Sequence, residues 1–422
     1  MQLLDRGKPD VLTSAPPDVA PGPTLDDAGV RARLTGIDGL RAVAALWVVL
    51  FHVHLVSKAT FSVPGLDAFW DSGWAGVSLF LVLSGFCLYL PFAGGRQRRF
   101  HVRSFLFRRA KRVMPAYYTS LALVVPLYIA FATPLGGSRH LSVADTAWHA
   151  LTHATMTHIF FTSTFYSLNG VYWSLALEWQ LYLTLPLLLL GILRFGFAKT
   201  AVFAVGVNIA YWIALHLAVW RGVVPNDPLL LGTVLSNQFI GRWAEFALGM
   251  IAAELYVTGR LQWARPLRFV APLLLPAILV ASYLPMTNVL TGAAFFLLVC
   301  LVLASSNWVS RLFSWRPLVA LGLMSYSLYL VHHPILKVLT YVIRTRLHAA
   351  PNEVFFLLVL FGLPIVLAAA WVLFMTAERP TLSARQSLRS LPGYSILVPS
   401  FLVSAWRRFF PDRLASAAVA AD

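Results

Sequence analysis

The sequence predicts an all-helical membrane protein, a bundle of about ten transmembrane helices with both termini in the cytoplasm. Hydrophobic residues make up 59% of the 422 residues and charged residues only 12%, and the mean hydropathy is +0.72. Because a soluble domain carries about 25% charged residues, a soluble fold would leave much of this apolar surface uncovered. The composition excludes a secreted domain, a cytosolic metabolic enzyme and a nucleic-acid-binding module as the first interpretation.

The predicted transmembrane helices are apolar windows of about 20 residues, the length that crosses a bilayer as a helix. The windows are 37–57, 74–93, 113–133, 173–193, 200–220, 237–257, 268–285, 288–305, 318–341 and 354–376. Residues 1–35 are rich in proline and have no apolar run, which predicts a disordered cytoplasmic tail. Residues 36–376 then form the transmembrane domain, and residues 377–422 form a basic, amphipathic cytoplasmic tail.

The basic residues determine the predicted orientation. Most of the 33 Lys and Arg residues lie in segments on one side of these windows, and the positive-inside rule assigns that side to the cytoplasm. Few lie on the opposite side, namely Lys58, Arg139, Arg221, Lys337, Arg344 and Arg346. The net charge of +16 is therefore mostly a topology signal and a contact for anionic lipids, not an indication of nucleic acid. The dense basic stretch 96–112 fits a membrane-surface belt and an anion site equally well.

Ionisable residues inside the first window are candidates for function, since a charge at mid-bilayer costs about 2.5–3.5 kcal/mol on insertion scales. Arg41 and His52 are eleven residues apart, which puts them about 20° apart on one helix face and about 16 Å apart along the axis. Taken singly, Arg41 fits a snorkelling flank and His52 a hydrogen-bonded core histidine. Together on one face, beside other buried polar groups, they indicate a functional site.

Other windows place polar residues at the depth of His52, and we expect them to converge if the helices pack together. These residues are Glu178, Arg242, Glu245 and His332, and Tyr329 lies three residues before His332 in the same window. Arg242 and Glu245 are three residues apart and are expected mainly to neutralise each other. Neutral imidazole is the usual general base near neutral pH, and a carboxylate on its second nitrogen fixes the tautomer. A His52–Glu178 pair would suit proton abstraction from a hydroxyl, although the spacing alone does not establish it.

A second pattern lies in the predicted outer loop. Asp145, His149 and His153 recur every four residues, a spacing that suits metal ligands. The segment 143–161 also alternates like an interfacial amphipathic helix, which is the interpretation we favour. We therefore expect no metal.

Five motifs in order along the chain carry a resemblance to a known family. They are IDGLRA at 37–42 followed by FH at 51–52, GVSLFLVLSGF at 76–86, RRAKRVMPAYY at 108–118, WSLALE at 173–178 and SYSLYLVH at 325–332. On these motifs the sequence resembles the membrane-bound acyltransferase-3 family of bacterial O-acyltransferases over about residues 36–376.

The resemblance implies transfer of an acyl group, often acetyl, from cytoplasmic acyl-CoA to a hydroxyl of an extracytoplasmic glycan or lipid-linked sugar, in a bacterial plasma membrane. It makes His52 the principal catalytic candidate with Arg41 beside it, and it places Arg109 and Arg112 near the CoA entry. With the residue analysis, we assign catalysis to His52, Glu178 and Arg41, acyl-CoA binding to Arg108, Arg109, Lys111, Arg112 and Ser84, and acceptor binding to Asp38, Arg242, Glu245, Tyr329 and His332. Direct transfer and an acylated His52 both remain open.

A transporter or flippase for a glycolipid or small molecule is the alternative, because buried Arg, Glu and His residues also serve substrate and proton pathways. Consumption of acyl-CoA by the detergent-solubilised protein separates the two. A third interpretation, a membrane-anchored partner on an inherited scaffold, is disfavoured because His52, Arg41 and Glu178 are all present. Expected partners are acyl-CoA, the acceptor and membrane lipids but no nucleic acid, and a homo-oligomer is left open.

Overall fold

A computed structural model describes residues 28–95, 100–130, 143–281, 287–304, 307–381 and 394–397. All regular secondary structure in this part of the chain is helical, which confirms the predicted all-helical fold. The α-helices are α1 Ala28–Ser57, α2 Leu66–Asp71, α3 Gly76–Tyr89, α4 Val102–Ala130, α5 Val143–Ala154, α6 Tyr172–Phe195, α7 Phe197–Trp220, α8 Pro228–Leu230, α9 Phe239–Val257, α10 Leu274–Ala281, α11 Thr287–Leu303, α12 Trp308–Phe313, α13 Arg316–Leu323, α14 Ser325–Leu347, α15 Pro351–Leu357, α16 Leu363–Leu373 and α17 Tyr394–Leu397.

Several of these helices are long and apolar enough to cross a membrane. Five stretches qualify directly: Leu34–Ser57, Leu66–Gly95, Tyr172–Phe195, Phe197–Trp220 and Pro351–Thr381. Two bent pairs qualify together, Gln262–Phe269 with Ala271–Ala281 at 77° and Arg316–Leu323 with Ser325–Leu347 at 72°. The described part of the chain thus has five to seven candidate spans, and the protein is a multi-pass membrane protein.

Three predicted windows are not among the candidate spans, and most of the two predicted tails lies outside the described residues. Windows 113–133, 237–257 and 288–305 coincide with α4, α9 and α11, which are not among the candidate spans. Residues 28–35, expected in the disordered tail, instead begin α1. The rest of that tail, residues 96–99 of the basic stretch and most of the C-terminal tail lie outside the described residues.

Glycines bring α3 and α9 together in the most extensive helix pair of the bundle. Gly85 faces the main-chain carbonyl of Phe246, and Gly249 faces that of Val82, so a Cβ at either glycine would overlap the neighbouring backbone. Small residues are the usual means of close packing between membrane helices, because lipid removes the hydrophobic drive for association.

Helix α1 is the element on which the site is built. It packs against α3, α12, α13 and α14, and Gly39 lies against the carbonyl of Phe313. The chain bends by 72° between α13 and α14. This bend directs α14 along the half of α1 that carries His52, where His332 contacts it.

Candidate active site

A cavity of about 940 Å³ opens beside the second half of α1. His52 and His333 line it, together with Arg242 and Asn288. Its aromatic lining residues are Phe51, Trp74, Tyr166, Trp173, Trp212, Tyr329 and Tyr341. A largely apolar, aromatic wall with a few convergent polar groups is typical of a small-molecule site. This cavity is therefore the candidate active site.

The imidazole of His52 is held by a main-chain carbonyl. Its Nδ1 lies 2.8 Å from the carbonyl oxygen of Val48, one turn earlier in α1, and the residue is 8% exposed. A carbonyl only accepts hydrogen bonds, so Nδ1 carries the proton and donates it. Nε2 is then unprotonated, and it has no hydrogen-bond partner among the described residues. His52 thus has the free lone pair that a general base requires.

Two histidines of α14 pack around this ring. The ring centroids of His332 and His333 lie 4.9 and 4.6 Å from that of His52. Nδ1 of His332 donates to the carbonyl of Leu328 at 3.2 Å, so its Nε2 is an acceptor facing Nδ1 of His52, also at 3.2 Å. The structure thus brings His52 and His332 together, as the sequence predicts, and His332 reinforces the tautomer of His52.

His333 has the opposite tautomer. Its Nδ1 accepts a hydrogen bond of 3.2 Å from the backbone N–H of Gly170, so the proton resides on Nε2. A Cβ at position 170 would lie 2.7 Å from Cε1 of His333, so glycine is what allows this close approach. The cavity wall therefore combines a hydrogen-bond acceptor on His52 with a donor on His333.

Arg242 lines the same cavity, and its guanidinium is held by several protein groups. Its Nε lies 2.7 Å from Oε2 of Glu245, and Nη2 donates to Oε1 at 3.0 Å. Nη1 donates to Asn288 at 2.9 Å and Nη2 also to Ser78 at 3.2 Å. The Arg242 and Glu245 side chains are 3% and 0% exposed. The expected ion pair is present, and Glu245 holds Arg242 from behind the cavity wall, since only Arg242 of the two is among the described lining residues.

Tyr329, predicted to bind the acceptor, also lines the cavity. Its hydroxyl and that of Ser174 are 2.6 Å apart. This hydrogen bond joins α14 to α6 and fixes the phenol at the wall. Asp38, assigned to the same role, lies elsewhere.

The first half of α1 carries a separate group, which we call the Arg41 cluster: Asp38, Arg41, Ser84, Glu178 and Tyr182. Nη1 of Arg41 lies 3.4 Å from Oδ1 of Asp38, and Nη2 lies 3.4 Å from the sulfur of Cys87. Both contacts are long, and the Arg41 and Asp38 side chains are 24% and 18% exposed. Arg41 therefore keeps donor capacity for a ligand.

Glu178 belongs to this cluster and not to the His52 cavity, which corrects the expected His52–Glu178 pair. Its Oε1 accepts hydrogen bonds from Ser84 at 3.2 Å and from Tyr182 at 2.5 Å, and its charge acts on Arg41. The physical reason is helix packing. Helix α6 packs against α4, α7 and α9, whereas α14 occupies the place beside His52.

The basic residues of α4 divide between two environments. Arg108 and Lys111 are exposed, whereas Arg109 and Arg112 are half-buried. Arg109 lies close enough to Arg112 and Glu178 for their charges to act on its guanidinium. Its Nε is buried without a hydrogen-bond partner in the described part of the chain. Arg109 and Arg112 thus extend the Arg41 cluster, and Arg108 and Lys111 do not.

Glu378 is a residue of this region that the sequence analysis missed. It is 3% exposed, accepts a 2.6 Å hydrogen bond from the hydroxyl of Ser327, and lies close enough to Arg112 and Arg41 to interact with their charges. We expected position 378 in the cytoplasmic tail. The one available signal was a carboxylate directly after an apolar run.

The two regions are neighbours through α14. The charge of Glu178 acts on both Tyr326 and Tyr329, and Tyr329 lines the cavity. Among the described lining residues of the cavity, however, none belongs to the Arg41 cluster. The site thus consists of the cavity and the neighbouring Arg41 cluster, with His52 and Arg41 about 16 Å apart along α1.

The histidines of α5 do not gather a metal site. His153 instead stacks on His158, with ring centroids 4.0 Å apart. Within the described residues, no group of three His, Cys, Asp or Glu side chains is arranged to hold a metal ion. The segment lies outside the candidate spans, and burial lowers the pKa of His158 to about 4.

Comparison with known proteins finds similarity to acyltransferases. Residues 34–375 match the sequence profile of a family described as an acyltransferase domain. The peptidoglycan O-acetyltransferase OatA of Listeria monocytogenes is 26% identical over 340 residues, which cover 74% of this chain and 50% of the relative. YrhL of Bacillus subtilis, named as a candidate peptidoglycan O-acetyltransferase, is 27% identical over 358 residues, 78% of this chain and 51% of the relative.

The chain spans about half the length of these curated relatives. No solved structure shows a significant match to it.

Proposed function

Because the chain belongs to the acyltransferase-3 family of membrane-bound acyltransferase enzymes, we propose that it transfers an acyl group, acetyl above all, from cytoplasmic acyl-CoA to a hydroxyl of an extracytoplasmic glycan or lipid-linked sugar. In this proposal about ten helices cross the bacterial plasma membrane with both termini in the cytoplasm. The names of two relatives, which refer to peptidoglycan O-acetylation, support a cell-envelope glycan as the acceptor.

The observation that carries the proposal is the tautomer of His52. Nδ1 is committed to the carbonyl of Val48 and Nε2 is left with a lone pair at a cavity wall. In the proposed step, Nε2 takes the proton of the acceptor hydroxyl while the oxygen attacks the thioester carbonyl carbon. The carbon–sulfur bond then breaks, and the proton passes to the departing CoA thiolate. The products are the ester and the free thiol.

His333 complements this base. Its protonated Nε2 provides a donor close to the same point, since the two ring centroids are 4.6 Å apart. A positioned donor stabilises the oxygen that becomes negative in acyl transfer. We propose that His333 serves the thioester oxygen or orients the acceptor hydroxyl.

The Arg41 cluster is the proposed site of the donor. CoA carries several phosphate charges, and guanidinium groups bind phosphate through charge-assisted, bidentate hydrogen bonds. The contacts that Arg41 makes with described residues are long, and Nε of Arg109 has no hydrogen-bond partner in that part of the chain. The pantetheine arm would then pass towards His52 along Tyr326 and Tyr329 of α14.

The test is acyl transfer by the purified protein in detergent, with acetyl-CoA and a peptidoglycan-derived oligosaccharide. His52→Ala should bind acetyl-CoA normally but lose acceptor acylation by at least about 100-fold. The matched control is His216→Ala, because His216 is exposed on α7 and its described hydrogen bond is to the carbonyl of Trp212 in the same helix. Near-normal turnover of His52→Ala would remove His52 from the site. If wild-type protein consumes no acetyl-CoA, the transporter alternative takes precedence.

A further inference from the structure

One face of α14 forms a strip of polar residues along the cavity. His333, Lys337, Thr340 and Arg344 all line it, and their spacing of four, three and four residues keeps them on one helix face. Along the axis, Lys337 lies about 6 Å and Arg344 about 16 Å from His333. The strip therefore runs from His333 towards the end of α14.

The strip is cationic and the cavity supplies no opposite charge. Lys58, just after α1, lines the cavity together with Lys337 and Arg344, and none of the described lining residues is acidic. Arg344 donates to the main-chain carbonyls of Val56 and Ser57, at 3.3 and 2.9 Å. These carbonyls orient the guanidinium without neutralising its charge.

Three carboxylates of the adjoining segments have partners of their own. Asp71 and Asp67 lie 2.9 and 3.3 Å from the two ring nitrogens of His54. Glu353 accepts the backbone N–H of Ala350 at the start of α15. The positive charge of Lys337, in contrast, is close enough to act on both His52 and His333.

Membrane topology does not explain these cations. On the predicted orientation, basic residues collect on the cytoplasmic side, and Lys58, Lys337 and Arg344 are among the few on the other side. Three of these exceptions meet in one cavity. A cationic cavity wall with no acidic residue attracts a negatively charged ligand.

We infer that the acceptor carries an anionic group, a carboxylate or a phosphate, close to the hydroxyl that is acylated, and that Lys337 and Arg344 bind this group with Lys58 at their side. This inference rests on the proposed function, since it names the acceptor of the same site. Lys337 acts as a compact charge about one helical turn from His333. Arg344 supplies planar donors that suit either oxyanion.

Matched pairs of acceptors test the inference with acetyl-CoA as donor. The first pair is an oligosaccharide of N-acetylglucosamine and N-acetylmuramic acid with free carboxylates, and the same oligosaccharide with its carboxylates converted to methyl amides. The second pair is dodecyl phosphate-linked N-acetylglucosamine and the neutral dodecyl glycoside. Preference within the first pair identifies a carboxylate, and preference within the second pair identifies a phosphate.

The variants are Lys337→Gln and Arg344→Lys, the latter keeping a donor for the carbonyls of Val56 and Ser57. Each should raise KM for the preferred anionic acceptor by about tenfold or more, the worth of one charge-assisted hydrogen bond. KM for the neutral partner and for acetyl-CoA should not change. The control is Arg346→Gln, an exposed residue of the same helix that does not line the cavity.

Equal kcat/KM for charged and neutral acceptors, together with unchanged KM in both variants, would overturn the inference and leave the proposed function standing. Transfer to none of the four acceptors would overturn both. A loss of activity with every acceptor in Lys337→Gln, at normal folding by gel filtration, would also contradict the inference, because it would indicate a general role and not recognition of an anion.

Discussion

Two arginine–carboxylate pairs with the same sequence spacing occupy different environments in this bundle. Arg242 and Glu245 are 2.7 Å apart and almost fully buried, and every described contact of the guanidinium is short. Arg41 and Asp38 are 3.4 Å apart, and each remains partly exposed. A charge inside a predicted span is therefore not by itself a binding site. The length of its contacts and the exposure of its side chains distinguish a structural pair from one that can bind a ligand.

The largest expected effect lies in the buried pair of Arg242 and Glu245. Arg242→Ala leaves Glu245 buried without its partner and should lower the free energy of unfolding by about 3–5 kcal/mol. Thermal unfolding in detergent measures this loss. Because apolar residues of similar volume can replace a buried ion pair, the double variant Arg242→Leu with Glu245→Leu should recover most of it. No recovery would show that the charges themselves are needed.

Arg41→Ala should behave in the opposite way. Since both contacts of Arg41 are long, the melting temperature should change little, whereas the dissociation constant for acetyl-CoA should rise about 10- to 100-fold through loss of a charge-assisted contact. Isothermal titration calorimetry measures the binding. A large fall in the melting temperature of Arg41→Ala, with an unchanged dissociation constant for acetyl-CoA, would reverse the assignment of the two pairs.

The half-buried and exposed arginines of α4 give a smaller contrast. Arg109→Ala should weaken acetyl-CoA binding by about tenfold, because this guanidinium extends the Arg41 cluster. Arg108→Ala is the matched control, one residue away but exposed, and it should change affinity by less than about twofold. Equal effects of the two variants would identify the basic stretch as a diffuse membrane-surface belt.

The smallest expected effect concerns two buried histidines, His153 and His158, which are neutral near pH 7. Burial and mutual repulsion with His158 lower the pKa of His153 well below its usual value, and burial lowers that of His158 to about 4. The unfolded chain thus binds more protons than the folded chain between about pH 6.5 and 4, so stability should fall as the pH falls through this window. His158→Phe should flatten the dependence of melting temperature on pH between 7 and 5. An unchanged slope would contradict the assignment.

The sequence predicted much of this arrangement because helix periodicity and hydropathy are local properties. The common face of Arg41 and His52 follows from helix geometry. Seven of the predicted windows correspond to candidate spans or bent pairs of the described residues. The partner of His52 could not be deduced in the same way. Depth in the membrane placed both Glu178 and His332 beside it, but neighbours are set by packing. The 72° bend before α14 brings His332 there, together with His333, whereas Glu178 lies in the Arg41 cluster.

Other parts of the site had weak or absent signals in the sequence. Glu378 follows the last apolar run and was assigned to the tail. Its carboxylate nevertheless accepts a hydrogen bond from the hydroxyl of Ser327 in α14. The contact of Gly170 with His333 joins residues 163 positions apart, and no local pattern marks such a pair. The number of spans and the orientation of the termini remain predictions.

Between Arg41 and His52, α1 contains neither glycine nor proline, so it is a stiff segment with no point of flexure. In the proposed enzyme this segment sets a fixed distance between the donor's binding site and the catalytic histidine. A donor anchored by its phosphates at one end delivers its reactive carbon at a fixed height, and substituents on that carbon have to fit into whatever room the acceptor leaves beyond it. Discrimination among acyl chains of different length would then be a matter of clearance, independent of any contact that recognises the chain itself.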